Sequence, residues 1–167
     1  MSRPNCCIHM AYVKRILRYL WGPPDLPIIY NRDGVFELSG FCDASYGTSE
    51  LDKMRSSTGA MIFLSGGLVG FSPSLQKISA QLTTEAELIA MSTCAKQGIY
   101  LSSILSAFAW KASLSFSIAS DNKEALHLAA NANNSSKSKH IAIRFAALRG
   151  WIKGGRIVID HVAASSE

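Results

Sequence analysis

The chain has 167 residues, 48% of them hydrophobic, which is enough for one full core and too short for two comfortable domains. Its 17 Lys and Arg residues exceed its 12 Asp and Glu residues, and the formal net charge of +5 favours a polyanionic partner without requiring one. No apolar run is long enough to cross a bilayer and the first five residues lack the apolar core of a secretory signal, so the expectation is an intracellular soluble protein without a membrane partner.

The cysteines form no recognisable metal or disulfide pattern. They lie at Cys6, Cys7, Cys42 and Cys94, with no Cys-x-x-Cys pair and no histidine at zinc-finger spacing. We therefore expect reduced and mostly buried thiols.

The first predicted element is an amphipathic helix over residues 8–21. Its apolar residues recur at steps of three and four, while Lys14, Arg15 and Arg18 occupy the other face. Gly22 and the two prolines after it end the helix. The basic face is most simply a solvated surface, although in a nucleic-acid enzyme it would also lie near phosphates.

Three strands are predicted next. Residues 35–43 form a strand that ends on Asp43, residues 58–64 form the second, and residues 68–72 form the third after a glycine turn. Residues 78–80 finish this group or extend its third strand beyond the interruption at Pro73. The pattern indicates an antiparallel meander.

The second half of the chain alternates helices and strands. Hydroxyl and acidic residues at 83–87 are typical of a capped helix start, and that helix is expected to run to about Phe108. The following elements are a strand over 114–119, helices over 123–130 and 141–152, and a last strand over 156–162. This order predicts an α/β fold with a mixed sheet covered by helices.

Three carboxylates occupy comparable places in this pattern. Asp43 and Asp121 each end a predicted strand, and Glu87 lies near the start of the long helix. Strand ends in an open α/β sheet bring side chains from distant segments into one crevice. Converging carboxylates repel one another unless cations lie between them, and Mg²⁺ or Mn²⁺ prefer such oxygen ligands. Each acid taken alone is explained equally well as an ordinary charged residue on a solvent-exposed surface.

Five blocks around these acids follow one another along the chain: residues 40–47 (GFCDASYG), 55–59 (RSSTG), 83–90 (TTEAELIA), 121–125 (DNKEA) and 138–144 (SKHIAIR). They resemble, in the same order, blocks of the ribonuclease H region of copia-type retrotransposon Pol polyproteins: GYSDADWA, RKSTSG, TTEAEYxA, DNxxA and TKHIDIR. Residues 14–22 (KRILRYLWG) resemble the KRxLRYLKG at the end of that family's reverse transcriptase connection region. The similarity covers nearly the whole chain.

The resemblance implies a fold, a division of the chain and a setting. The implied fold is α/β and ribonuclease H-like, with a five-stranded mixed sheet of three antiparallel strands and then parallel additions, flanked by helices. Residues 1–34 would be an amphipathic helix and linker from the connection region, and residues 35–167 the ribonuclease H-like domain. The implied partner is the reverse transcriptase domain of the same polyprotein, in a cytoplasmic virus-like particle or in the nucleus.

The resemblance also implies an activity. The family's metal ligands fall on Asp43, Glu87 and Asp121, which would hold two Mg²⁺ or Mn²⁺ ions and hydrolyse the RNA strand of an RNA/DNA hybrid. Glu85 competes for the role of Glu87, but two residues away it points to a different face of the helix. The candidates for substrate contacts are Ser56, Ser57, Thr58, Asn122, Lys139, His140 and Arg144. For the hydroxyl and amide residues, helix capping or turn formation explains the sequence equally well.

Departures from the family pattern weigh against full activity. Family members continue past the last strand into a helix that supplies a fourth acid, whereas this sequence ends at Glu167, which implies truncation at the C-terminal helix. Asp160 lies inside the last predicted strand, and we do not assign it as the fourth acid. Ser45 and Ala142 stand where the family usually has acids. The alternative to an enzyme is therefore a weak or inactive remnant that keeps the fold and some affinity for nucleic acid.

Overall fold

One mixed sheet forms the centre of the fold in this computed structural model, which describes residues 5–22, 27–30, 35–46, 55–77, 82–108, 115–121 and 139–162. The helices in these ranges are α1 (Asn5–Trp21), α2 (Thr83–Ala107) and α3 (Lys139–Lys153). The strands are β1 (Leu38–Ser45), β2 (Ser57–Leu64), β3 (Gly67–Phe71), β4 (Ser74–Leu75), β5 (Phe116–Ser120) and β6 (Ile157–His161). The predicted helix over 123–130 and the predicted strand over 78–80 lie outside the described residues.

The strand order confirms the predicted fold class. The sheet runs β3-β2-β1-β5-β6, with β2 antiparallel to β1 and β3, and with β5 and β6 added in parallel. The prediction of five strands is short by one, because Pro73 separates β3 from the two-residue β4, which also pairs with β2. Within the described ranges, no helix combines the length and apolar composition that crossing a membrane requires.

One face of the sheet, the inner face, packs against α2 and α3. Side chains of alternate strand residues point to this face, so that Leu38, Ala60, Ile62, Phe116, Ile118 and Ile157 are buried. From the helices, Leu88, Met91 and Cys94 of α2 and Ile141, Phe145 and Leu148 of α3 join the same cluster. This packing fixes the position of α2, and of the side chains it carries, against β1, β2 and β5.

The opposite face, the outer face, has no helix over it among the described residues, whereas the resemblance implies helices flanking the sheet. Its side chains include Phe41, Met61 and Phe71, which are 45%, 47% and 74% exposed. Phe41 and Phe63 make an edge-to-face ring contact with centroids 5.6 Å apart. Helix α1 is exposed throughout residues 10–21, so neither its apolar side nor the outer face is covered in the described structure.

The closest packing in the core surrounds the ring of Phe116. Gly40 of β1 and Gly98 of α2 lie against this fully buried ring from two sides. A Cβ atom added to Gly40 would lie 2.4 Å from Cζ of the ring, and one added to Gly98 would lie 2.1 Å from Cδ1. Both glycines are therefore required by the approach of the aromatic ring.

Replacing Gly98 with alanine is expected to destabilise the protein by about 1–3 kcal/mol, because an overfilled core must shift. This loss should appear although alanine is preferred over glycine in helices by about 1 kcal/mol. Gly150→Ala in α3 is the matched control, since nothing lies within 4 Å of an added Cβ there. Urea unfolding of the two variants would contradict this packing if Gly98→Ala were as stable as Gly150→Ala.

Candidate active site

The register of two parallel strands leads Asp43 and Asp121 to the same edge of the sheet. Phe41 of β1 pairs with Ala119 of β5, and Asp43 and Asp121 follow two residues further along their chains. Both carboxylates are exposed. The predicted end of the first strand at Asp43 is wrong, because β1 continues to Ser45 through its pairing with β2. Asp121 does follow the last residue of β5, as predicted.

Glu87 reaches this edge from the start of α2, as its fifth residue. Its side chain is buried, with 8% exposed, and the backbone N–H of Ala44 donates a hydrogen bond to its carboxylate. The pKa of Glu87 is raised to about 7, mainly by burial and then by repulsion from Asp43 and Asp121, while the Ala44 hydrogen bond acts in the opposite direction. The three acids therefore form one electrostatic group, called the acidic edge below.

The beginning of α2 differs from the predicted hydroxyl cap. Thr83 already lies inside the helix, and the cap position is Leu82, which has no side-chain hydrogen bond to the helix. Beside this start, Nε2 of Gln76 donates a hydrogen bond to the carbonyl of Ala86. Sequence reasoning missed Gln76, since a single polar residue in a loop between predicted elements gives no pattern.

A groove of about 690 Å³ on the outer face opens beside the two exposed acids. Asp43 and Asp121 line it together with Phe41, Met61 and Phe71. Its described lining contains no Lys or Arg residue, so this groove is an apolar surface rather than a channel for phosphates.

The acidic edge has the donor atoms that a divalent cation prefers. Oε2 of Glu87 is buried without a hydrogen-bond partner in the described structure, beside two further carboxylates. A hard cation would satisfy that oxygen and reduce the mutual repulsion. As the side chains are placed, however, no group of three or more Asp, Glu, His or Cys residues in the described ranges is close enough to hold a metal ion. The carboxylate oxygens are of the type that a divalent cation prefers. In the described residues, however, they do not lie close enough together to coordinate one.

Comparisons with known proteins agree with this fold. No protein-family model matches the chain. The "Retrovirus-related Pol polyprotein from transposon RE1" of Arabidopsis thaliana is 28% identical over 159 residues, 95% of this chain, and the one "from transposon TNT 1-94" of Nicotiana tabacum is 32% identical over 145 residues, 87% of this chain. The chain is homologous to one segment of the retrovirus-related Pol polyproteins of transposons, and it is called the Pol segment below. It spans about a tenth of their length, 11% and 10% respectively.

Solved structures show which fold this Pol segment has. LC11-RNase H1 superimposes with a TM-score of 0.56 at 12% identity, over 77% of this chain and 86% of that one. A second structure, "LC11-RNase H1 in complex with RNA/DNA hybrid", gives a TM-score of 0.51 at 13% identity, over 76% and 86%. The Pol segment has a ribonuclease H fold, which confirms the fold inferred from the sequence blocks.

Two of the predicted substrate contacts are buried in the Pol segment. Ser56 and Thr58 are 1% and 3% exposed, and Oγ1 of Thr58 accepts a hydrogen bond from Nε2 of Gln76 at 3.0 Å. In this placement Thr58 joins β2 to Gln76, a role that differs from the helix capping or turn formation weighed as the alternative. Ser57 is exposed on β2, and Asn122 lies outside the described residues.

The remaining predicted contacts lie at the start of α3: Lys139, His140 and Arg144. Only three residues separate the end of α3 from β6, which runs parallel to β5. Helix α3 therefore runs back along the sheet, and its start lies at the end of the domain where Asp121 lies. His140 is exposed and Arg144 is half-buried. The Pol segment thus brings basic residues to the end of the domain that holds the acidic edge.

Two further groups near the acids are not candidates for the chemistry. Cys42 and Cys94 are buried free thiols, as predicted, and a hydrogen bond with Cys94 together with burial holds the pKa of Cys42 far above its ordinary value. A thiol of this kind stays protonated and is not a nucleophile. Asp160 accepts a hydrogen bond from Oγ of Ser117 at 2.7 Å on β5, in a separate exposed pair.

Proposed function

We propose that this Pol segment is a divalent-metal-dependent endoribonuclease that hydrolyses the RNA strand of RNA/DNA hybrids during retrotransposon reverse transcription. The observation that supports this most is the buried Glu87 carboxylate, which has one unpartnered oxygen and lies within electrostatic reach of Asp43 and Asp121. Burying a carboxylate beside two others is unfavourable by itself. Such an arrangement is reasonable where a cation is to be bound.

The three acids would divide the work according to their burial. Glu87 is oriented by the Ala44 N–H and would hold a cation from the protein side, whereas the exposed Asp43 and Asp121 would face the substrate phosphate. Bound Mg²⁺ or Mn²⁺ would supply an acidified water and compensate the charge that develops on the phosphate oxygens. Because Glu87 has a pKa of about 7, a proton competes with the cation for its carboxylate near neutral pH.

An RNA/DNA hybrid is the proposed substrate. A net charge of +5 favours a polyanion, and a solved neighbour with the same fold is described in complex with RNA/DNA hybrid. The start of α3, with His140 and Arg144, offers donors to the backbone of a duplex at the correct end of the sheet. Selection of the RNA strand would depend on its 2′-hydroxyl groups, which are accessible in a wide minor groove. The proposed partner is the reverse transcriptase domain of the same polyprotein.

Cleavage of three labelled duplexes tests this proposal. RNA/DNA hybrid, double-stranded RNA and double-stranded DNA of one sequence are incubated with the protein in Mg²⁺, in Mn²⁺ and in EDTA. We expect cleavage of the RNA strand of the hybrid alone, in both metals and not in EDTA. Equal cleavage of all three duplexes, or cleavage that survives EDTA, contradicts the proposal.

One observation favours a second candidate, a nucleic-acid-binding remnant without activity. Among the described residues, the carboxylates of the acidic edge are too far apart to coordinate one cation together, so a bound cation would have to draw the side chains closer. The remnant predicts binding of duplexes that weakens steeply with added salt, and no cleavage in either metal. The same three duplexes, in a salt titration followed by fluorescence anisotropy, distinguish the two candidates.

A further inference from the structure

Gln76 is buried at the junction between the sheet and the start of α2. It directly follows β4 and is 4% exposed. Its backbone N–H donates a hydrogen bond to the carbonyl of Ser56 at 2.8 Å, next to the first residue of β2. The backbone of Gln76 is therefore fixed to the sheet.

The side chain of Gln76 joins that fixed point to α2. Nε2 donates to Oγ1 of Thr58 on β2 and to the carbonyl of Ala86 on α2, each at 3.0 Å. Since a backbone carbonyl only accepts, the amide must present its NH₂ group to Ala86. Both donor hydrogens are thus used, one on the strand and one on the helix.

The contact on α2 lies one residue before Glu87, at a helix start without a side-chain cap. The side chain of the cap residue Leu82 makes no hydrogen bond to the helix, its carbonyl accepts the N–H groups of Glu85 and Ala86, and Gln76 adds a side-chain contact to this turn. A shift of this turn would move the Glu87 carboxylate away from the Ala44 N–H, and with it the geometry of the acidic edge. Reactions of this class are sensitive to displacements of about 1 Å.

We propose that Gln76 is a positioning residue: its bridge from Thr58 to the Ala86 carbonyl sets the start of α2 so that Glu87 faces Asp43 and Asp121. It acts through Glu87 and touches no substrate. For its effect on catalysis, this inference rests on the proposed ribonuclease function. For its effect on the helix start, it stands on the hydrogen bonds alone.

The variant Gln76→Met tests the bridge, because methionine has a similar length and no hydrogen-bond donor. We expect the amides of residues 87–90 to exchange with solvent about tenfold faster, since two hydrogen bonds to the sheet and helix are lost. Exchange in the middle of α2, over residues 94–101, should remain at the wild-type rate. On RNA/DNA hybrid, kcat should fall about tenfold or more while KM stays nearly constant.

Ile157→Val is the control for a general loss of stability. Ile157 is 1% exposed at the start of β6, at the end of the sheet far from the acids, and this change typically costs about 0.5–1.5 kcal/mol. It should leave kcat and the exchange of residues 87–90 unchanged. The positioning role is overturned if Gln76→Met also leaves both unchanged, or if its exchange rises equally over the whole of α2.

The two proposals fail in different ways. A wild-type protein that cuts no hybrid removes the ribonuclease function, and the exchange measurement still decides the role of Gln76. If Gln76→Met does not fold, Thr58→Val removes one end of the bridge and keeps the shape of the side chain. That variant should accelerate exchange at residues 87–90 in the same direction by a smaller factor, and no change there overturns the inference.

Discussion

Replacing Glu87 with glutamine is expected to stabilise the metal-free protein by about 1–3 kcal/mol at pH 8. The folded protein holds the Glu87 proton up to a pKa of about 7, whereas the unfolded chain releases it near 4.5. Between these values the folded state binds more protons than the unfolded state, so the free energy of unfolding falls as pH rises from about 4.5 to about 7. Glutamine keeps an oxygen for the Ala44 N–H and has no charge to bury.

Urea unfolding in EDTA at pH 4 and pH 8 measures this effect. Glu87→Gln should match the wild type at pH 4, where both side chains are neutral, and exceed it at pH 8. Glu85→Gln is the matched control, because Glu85 is half-buried on a different face of α2, and it should give no comparable gain. A loss of stability in Glu87→Gln at pH 8 would contradict the unfavourable burial of this carboxylate.

Divalent cations are expected to offset the cost of burying the Glu87 carboxylate in the wild type. They should not do so in the variants Glu87→Gln and Asp43→Asn. Mg²⁺ or Mn²⁺ at about 100 times its Kd should stabilise the folded protein by about 2.7 kcal/mol, provided that it binds only the folded state. For a chain of this size such a gain raises Tm by several degrees. Glu87→Gln and Asp43→Asn each remove one ligand, so their Tm should respond much less.

Differential scanning fluorimetry with and without each metal at pH 8 makes this comparison. Ca²⁺ serves as a further probe, because it prefers more ligands and longer bonds than Mg²⁺. An equal rise in Tm for the wild type and for Asp43→Asn would show that cations bind elsewhere on the chain. An unchanged Tm for the wild type would favour the inactive remnant.

The fold could be predicted from sequence because its elements have clear periods and clear breaks. The three- and four-residue period predicted α1, the hydroxyl and acidic residues at 83–87 predicted the start of α2 although the expected cap is not formed, and apolar runs predicted β1 and β2. Element ends were less accurate. Ser45 belongs to β1 only because it pairs with Ser57 of β2. The two residues of β4 form a strand only because they pair with Ser57 and Thr58, at the start of β2. Such ends depend on partners that are distant in sequence.

The residues of the candidate site could be proposed from the sequence, but the burial and exposure of each could not. The sequence blocks predict Asp43, Glu87 and Asp121 as the site, and the register of β1 with β5 brings the two aspartates to one edge. That Glu87 would be buried while both aspartates stay exposed depends on how α2 packs against β1. The burial of Thr58 was also hidden, because β2 has apolar residues on both faces, with Ile62 inward and Met61 outward.

The most direct test of the acidic edge is single-turnover cleavage of an RNA/DNA hybrid in Mn²⁺ by the wild type, Asp43→Asn and Asp160→Asn. Asp160 is the matched control, since it is an exposed acid of the same sheet, on β6, and it pairs with Ser117 instead. We predict that Asp43→Asn loses more than about a hundredfold in rate, because even residues that only support a metal's ligands are worth about 10–100-fold. Asp160→Asn should cut at the wild-type rate. Cleavage that survives Asp43→Asn, or that is lost equally in Asp160→Asn, would contradict the assignment of the site.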